Sequence, residues 1–234
     1  MTGLNLNNLH FSRKEFDLSL SAVFPQGSKT LLVGASGAGK STLLSLIAGF
    51  AFPKSGEIIW NGKEITRLSP QERPLTLLFQ ENNLFPHLTL EKNVALGLQP
   101  SLKLSKEESE ELQEMLQKVG ISHLQQKYPF ELSGGERQRA ALARSLLRQM
   151  PILLLDEPLG PLGPGMRKEM LDLLQKIVEE FKLTLLIPSH HPEEAISIAD
   201  QMLFLERGEI IESGVPPLLL TNPTHPKLRK YLGF

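Results

Sequence analysis

The residues best suited to chemistry form one run, Gly34-Ala35-Ser36-Gly37-Ala38-Gly39-Lys40-Ser41. Three glycines at this spacing let backbone N–H groups converge on phosphate oxygens without a Cβ in the way, and the lysine adds a point charge for the outer phosphates. The serine hydroxyl that follows is a hard ligand suited to Mg²⁺. The spacing is that of a phosphate-binding P-loop, which requires a strand before it and a helix after it, so that the helix N-terminus adds its partial positive charge. Both are predicted: Thr30-Leu31-Leu32-Val33 reads as a buried strand ending at Gly34, and Leu43, Leu44, Ile47 and Ala48 recur at helical spacing up to a stop at Gly49.

A second chemical element lies about a hundred residues on. Ile152-Leu153-Leu154-Leu155-Asp156-Glu157 is an apolar strand ending in two carboxylates. In P-loop enzymes the acid at such a strand end holds Mg²⁺, the role assigned to Asp156. Glu157 is left to polarise an attacking water as general base.

The elements that must position these groups alternate short apolar runs with helical periodicity, which predicts an α/β fold with a largely parallel sheet. Further strands are expected at 56–62, entering a turn at Asn61-Gly62, and at 75–79, 184–187 and 202–205. Between Gln80 and Met150 strand-like runs disappear. A capping box at Ser105 and Glu108 opens a helix whose stripe is Leu112, Met115, Leu116 and Val119, ending at Gly120. Another helix is expected to bury Met166, Met170, Leu173, Leu174, Ile177 and Phe181. The prolines at 216, 217, 223 and 226 predict a tail of loops and short helices. The division expected is a nucleotide-binding core from residues 1–80 and 151–234 with a helical subdomain at 81–150.

Composition sets the outer bounds. The 234 residues hold 25 Lys and Arg against 26 Asp and Glu, a formal charge of −1, and no cysteine. Disulfides, thiolate metal sites and cysteine nucleophiles are excluded. A broadly basic nucleic-acid surface is not supported, so no nucleic-acid partner is expected. No apolar run approaches the roughly 18 to 20 residues of a membrane span, and the Asn-containing start does not read as a signal peptide, so a cytoplasmic chain is expected.

Leu132-Ser133-Gly134-Gly135-Glu136-Arg137-Gln138 resembles the signature of ATP-binding cassette (ABC) ATPases, and it lies between the P-loop and the acidic strand as it does in that family. Physically, a Ser-Gly-Gly turn opening a helix offers backbone donors to an anion. The resemblance covers essentially the whole chain. It implies a P-loop NTPase core of RecA-like type with an antiparallel β edge and an inserted α-helical subdomain, and it implies ATP with Mg²⁺. Each ATP would be sandwiched in a head-to-tail homodimer between one P-loop and the partner's signature. Nucleotide contacts carried over are Gly34, Ala35, Ser36, Gly37, Ala38, Gly39, Lys40, Ser41, Thr42, Ser133, Gly134, Gly135 and Glu136. Phe11 is the choice for an adenine platform, with Phe16 the alternative.

Ser41, Gln80 and Asp156 are the implied metal ligands, and Glu157, His190 and Gln80 the implied catalytic set. His191 competes with His190, and the following Pro192-Glu193-Glu194-Ala195 favours position 190. One segment departs from the pattern: after Pro158 and Leu159 the chain runs Gly160-Pro161-Leu162-Gly163-Pro164-Gly165, with Gly163 where the family has an aspartate. This loop belongs to the family's dimer interface, so altered cooperation between the two ATP sites is expected, with hydrolysis retained. The run from Phe79 to Thr89, with Gln-Glu-Asn-Asn-Leu-Phe at 80–85, is similar to the cassette of bacterial thiamine importers, as is the absence of a long regulatory extension. The resemblance implies permease subunits docking near residues 80–88, a periplasmic solute-binding protein acting indirectly, and a place on the cytoplasmic face of the inner membrane. Leu84 and Phe85 are read either as anchors for a permease helix or as cover for the insert's own core. A soluble ABC ATPase unconnected with transport is the second reading.

Overall fold

The computed structural model describes residues 2–14, 16–79, 83–156, 162–189 and 196–234. Gln80, Glu157, His190 and His191, with Gly160 and Pro161 of the departing loop and Pro192-Glu193-Glu194-Ala195, all singled out from the sequence, lie outside the described residues.

Alternation builds the start of the chain. In β2 (Phe16–Pro25), Leu18, Leu20, Ala22 and Phe24 are buried while the residues between them face outward. It pairs antiparallel with β1 (Gly3–Arg13), whose register shifts between Leu6 and Leu9 at a bulge where Asn8 has φ 46°. Gly56 sits against that bulge at φ 89°, where a Cβ would lie 2.3 Å from the Asn8 carbonyl oxygen. The strand β4 (Ser55–Trp60) pairs with β1 and turns through Asn61-Gly62 into β5 (Lys63–Glu64), both turn residues having positive φ. These four strands make one antiparallel sheet, ordered β2-β1-β4-β5.

The second sheet has six strands, ordered β10-β9-β3-β8-β7-β6: β3 (Lys29–Val33), β6 (Leu75–Leu78), β7 (Ile152–Leu155), β8 (Thr184–Ser189), β9 (Gln201–Glu206) and β10 (Glu209–Gly214). Every pairing from β9 to β6 is parallel, and β10 closes the edge antiparallel to β9. The interior strands are buried throughout apart from Lys29 at the start of β3 and the two ends of β9, as expected of a parallel sheet covered on both faces. On one face α1 (Lys40–Ala48) joins the core under the antiparallel sheet. On the other, α2 (Leu90–Ala95), α3 (Lys106–Lys118), α4 (Gly134–Leu146) and α5 (Pro164–Phe181) share a single larger core with the sheet. Two short helices, α6 (Pro216–Thr221) and α7 (Pro226–Leu232), form the tail. The chain is thus a mixed α/β protein with an antiparallel and a largely parallel sheet, as the sequence implied.

One expectation shifts in detail. The buried stripe of α5 is Met170, Leu171, Leu174, Ile177 and Val178, rotated from the one predicted. Met166 and Phe181 are exposed because they occupy the terminal turns beyond the core, where Phe181 carries the Lys118 ammonium 4.7 Å over its ring. In α4 the Ser-Gly-Gly turn is part of the helix start, because Ser133 itself is the N-cap and Gly134 and Gly135 are its first residues.

The fully buried Arg73 ties the loop after β5 to the end of α1. Its guanidinium donates to the carbonyls of Leu46 and Ile47 at 2.6 Å each, Thr66 at 2.7 Å and Leu68 at 3.0 Å. Two of these acceptors are carbonyls of the last turn of α1, where the helix dipole favours a cation. Gly49, the left-handed C-cap at φ 83°, leaves the room: a Cβ there would lie 2.7 Å from Arg73 Nε. Burial pushes the arginine down to about 10, which keeps it protonated at neutral pH. Arg73→Met leaves several buried carbonyls without a donor and is expected to cost on the order of 3 kcal/mol, read as a lower midpoint of urea unfolding at unchanged slope.

Candidate functional site

The parallel ladder brings the chemistry to one edge. Val33 pairs with Ser189 and Phe204, and Leu155 with Leu78, so β3 and β7 both deliver their carboxyl ends there. Open α/β sheets bind ligands at that edge. Past Val33 the chain enters the P-loop through Gly34, at φ 158°, where a Cβ would lie 2.3 Å from the Leu205 carbonyl oxygen. Gly37 has φ 79° and Gly39, the N-cap of α1, has φ 112°. A cavity of about 210 Å³ is lined by Phe16 and by Ser36, Gly37, Ala38, Gly39, Lys40, Ser41 and Thr42.

Lys40 is buried, and its ammonium donates to the carbonyls of Gly34 at 2.6 Å and Ala35 at 3.2 Å. The loop is therefore folded around its own cation. Ser41 Oγ donates to Asp156 Oδ1 at 3.5 Å, so the hydroxyl that opens α1 and the carboxylate that ends β7 stand side by side. A hydroxyl and a carboxylate at one point are hard oxygen donors of the kind Mg²⁺ takes, and this donor set fits that ion.

Phe11 lies opposite Leu18 in the antiparallel sheet and packs on the smaller core, apart from the cavity lining. Phe16 takes that place, with its ring tip 3.0 Å from where a Cβ on Gly39 would sit. Of the two aromatics weighed from sequence, the structure brings the alternative to the P-loop.

The signature turn is a complete capping box. Ser133 Oγ accepts from the Glu136 N–H at 3.3 Å, and the Glu136 carboxylate accepts from the Ser133 N–H at 2.6 Å. Gly134 and Gly135 occupy the first helical positions at ordinary helical geometry. A Cβ on Gly134 would come no closer than 3.9 Å to Leu162, and one on Gly135 no closer than 3.5 Å to Met166. Both are ordinary contacts, so packing among the described residues does not require glycine there. The departing loop ends at Gly163, which is the N-cap of α5 and makes no side-chain cap bond. The family aspartate would therefore fall at a helix N-cap, where Asp satisfies N–H groups that Gly163 leaves to other partners.

The run after residue 82 divides the two readings of its hydrophobic pair. Leu84 packs against the larger core, while Phe85 is 46% exposed and meets His87 edge-on at 5.9 Å between ring centres. Phe79, at the other side of Gln80 in the chain, is also exposed and lies 5.8 Å from the exposed Phe50 ring. Among the described residues no helix is long and apolar enough to cross a membrane.

This arrangement defines a class, and comparison with known proteins agrees with it: the ABC transporter family model matches residues 18–160. The chain belongs to the ABC transporter family; it binds ATP and is an ATPase. Its relatives include the thiamine import ATP-binding protein ThiQ of Haemophilus influenzae, 49% identical over 212 residues covering 90% of this chain and 99% of the relative. The ThiQ of Photobacterium profundum is 45% identical over 221 residues, covering 94% and 92%. That of a Ruegeria species is 44% identical over 230 residues, covering 98% and 99%.

The hydrogen bonds from the Ser133 N–H and hydroxyl lower the Glu136 carboxyl below its ordinary 4.5. A depressed folded-state value means that this carboxylate's contribution to stability is fully present above the unfolded value near 4.5 and is lost as pH falls through the folded one. Glu136→Gln should accordingly flatten the acid limb of a stability-versus-pH curve relative to the parent, and coincident curves from thermal melts between pH 6 and 3 would contradict the capping role.

Proposed function

We propose that the chain is the ATP-hydrolysing motor of a thiamine importer, working as a homodimer on the cytoplasmic face of the inner membrane beneath permease subunits that a periplasmic solute-binding protein loads. The observation that carries this reading is the meeting of Ser41 and Asp156 beside the buried Lys40, in a chain alike over nine-tenths of its length or more to proteins named as thiamine import ATP-binding proteins.

Nucleotide recognition follows from the groups at the edge. The N–H groups of residues 34–41 and the α1 dipole hold the phosphate chain, and the Lys40 ammonium exchanges its bonds to the Gly34 and Ala35 carbonyls for phosphate oxygens. Phe16, which lines the cavity, is the aromatic available to the base. Ser41, Asp156 and Gln80 would hold Mg²⁺, which when bound neutralises charge on the outer phosphates. Glu157, next in the chain after Asp156, takes a proton from the attacking water, and His190, next after Ser189, meets the γ-phosphate.

The signature glycines support the homodimer. A glycine costs up to about 1 kcal/mol relative to alanine within a helix, and here no contact among the described residues asks for one. Close approach of a phosphate group from a partner's P-loop supplies the missing reason. Exposed Phe79 and Phe85, bracketing Gln80 in sequence, support docking of an apolar permease segment there.

Reconstitution with the co-expressed permease and solute-binding protein tests the whole reading. ATP turnover should rise on adding thiamine-loaded binding protein, and labelled thiamine should accumulate only with ATP. Glu157→Gln should lower turnover by about 100-fold or more while retaining bound ATP. Turnover without thiamine uptake would remove the solute assignment and keep the motor, whereas unchanged turnover in the Gln variant would remove the general base.

The glycine argument has its own test. Gly135→Ala should melt no lower than the parent yet lose most ATP turnover, and a variant that keeps full turnover would sink the role assigned to the signature.

A further inference from the structure

The segment from Asn83 to Thr89 has no regular secondary structure, yet it is held from beneath by two side chains of the helical subdomain. Asn93, in the single-turn-and-a-half helix α2, is fully buried on the same face as Leu90 and Val94. Its Oδ1 accepts from the Phe85 N–H at 2.7 Å, and its Nδ2 donates to the carbonyls of Phe85 and Leu88 at 3.0 Å each and of Thr89 at 3.1 Å. One amide thus satisfies the polar backbone of the turn that presents Phe85 and His87. From α4, the Arg144 guanidinium donates to the Asn83 carbonyl at 2.9 Å. The helix α4 is the one that opens at the signature, and it runs so close to α2 that a Cβ on Gly97 would lie 2.3 Å from the Arg144 carbonyl oxygen.

We infer that Asn93 is the positioning residue of the permease-docking surface: its side-chain amide holds the 85–89 turn in the shape that displays Phe85, and so links the docking surface to the subdomain carrying the signature. The inference rests on the docking reading given above. An asparagine is suited to this because its amide both donates and accepts, whereas an apolar residue of similar volume would take the side-chain partner from the Phe85 N–H and the Leu88 carbonyl and leave the Phe85 and Thr89 carbonyls with their backbone donors alone. None of the described residues that line the nucleotide cavity is bonded to Asn93, so its loss is expected to act on coupling rather than on the chemistry.

Hydrogen exchange in the unmodified chain gives the first test. The Phe85 amide, although outside any helix or strand, should exchange as slowly as the amides inside α2; rapid exchange there overturns the inference without any variant. Asn93→Ala and Asn93→Leu should then speed exchange at Phe85 at least tenfold while amides in the parallel sheet stay slow. The free chain's KM for ATP and turnover should stay within twofold, and permease-stimulated turnover and copurification with the co-expressed permease should fall at least tenfold. If stimulation persists with a freed Phe85 amide, or if free turnover falls in step with stimulation, Asn93 is not a docking buckle. Phe85→Ala separates the two readings. Full stimulation in that variant removes the docking surface itself, whereas a defect in Phe85→Ala with intact stimulation in both Asn93 variants removes only the role of Asn93.

Discussion

The constraint on which the rest depends is the burial of β3 between two parallel neighbours. A strand paired on both edges and covered on both faces can offer polar backbone only at its ends. Here the carboxyl end opens at once into Gly34, held against the Leu205 carbonyl of β9. The same ladder fixes β7 two strands away, so Asp156 arrives beside Ser41 without any loop having to be held in place by its own contacts. The turn from β9 to β10 completes the support: the Gly208 N–H donates to the Ala38 carbonyl at 2.9 Å and its carbonyl accepts from the Ser19 N–H at 2.9 Å. One turn thereby joins the P-loop, the parallel sheet and the antiparallel strand that carries Phe16.

Net neutrality is consistent with this way of binding phosphate. An anion held by converging backbone N–H groups, one lysine and a helix end needs no excess of basic side chains. The charge of −1 therefore says little about the affinity of the site and more about the remaining surface, which has no need to attract a polyanion. The buried cations agree. Lys40 and Arg73 both donate to backbone carbonyl oxygens, one beneath the nucleotide loop and one beneath the far end of the helix that the loop starts. Each end of α1 is thus closed by backbone and a single cation, which keeps this nine-residue helix in register with the loop.

Much of the core was legible because its signals are local. A buried parallel strand followed by a glycine loop and a capped helix can be read from composition and period alone, as can the capping box at Ser105, which forms as its spacing predicts. What escaped depends on partners distant in sequence. The β1–β2 hairpin was open to discovery through the strict alternation of Leu18, Leu20, Ala22 and Phe24, but the bulge at Asn8 breaks the matching pattern in β1. Which of Phe11 and Phe16 lies nearer the P-loop is set by where β2 meets Gly39, a contact no local pattern marks. Arg73 sits in a Pro- and Glu-containing stretch that reads as a solvated turn, and no period marks it. Asn93 did leave a trace, since a polar residue between Leu90 and Val94 on a buried face calls for a partner.

The glycines show where sequence pattern and structure carry different information. Gly34, Gly37 and Gly39 are required by their own chain, through positive φ or through a carbonyl or ring where a Cβ would stand. Gly134 and Gly135 are not required by any described residue: their backbone is helical and the described space beside them would take a methyl group, so their identity weakens α4 without a benefit that the described residues show. Gly163 is of the second kind as well, with an extended backbone that any residue adopts and, among the described residues, only the Met166 methyl within 4 Å. These three positions cluster where α4 and α5 begin, with Leu162 and Met166 packed across between them. A surface stripped of Cβ atoms at two helix starts exposes backbone donors to whatever approaches. Backbone N–H groups at a helix start suit an anion, and the homodimer proposed above is the arrangement that would bring a nucleotide phosphate to them.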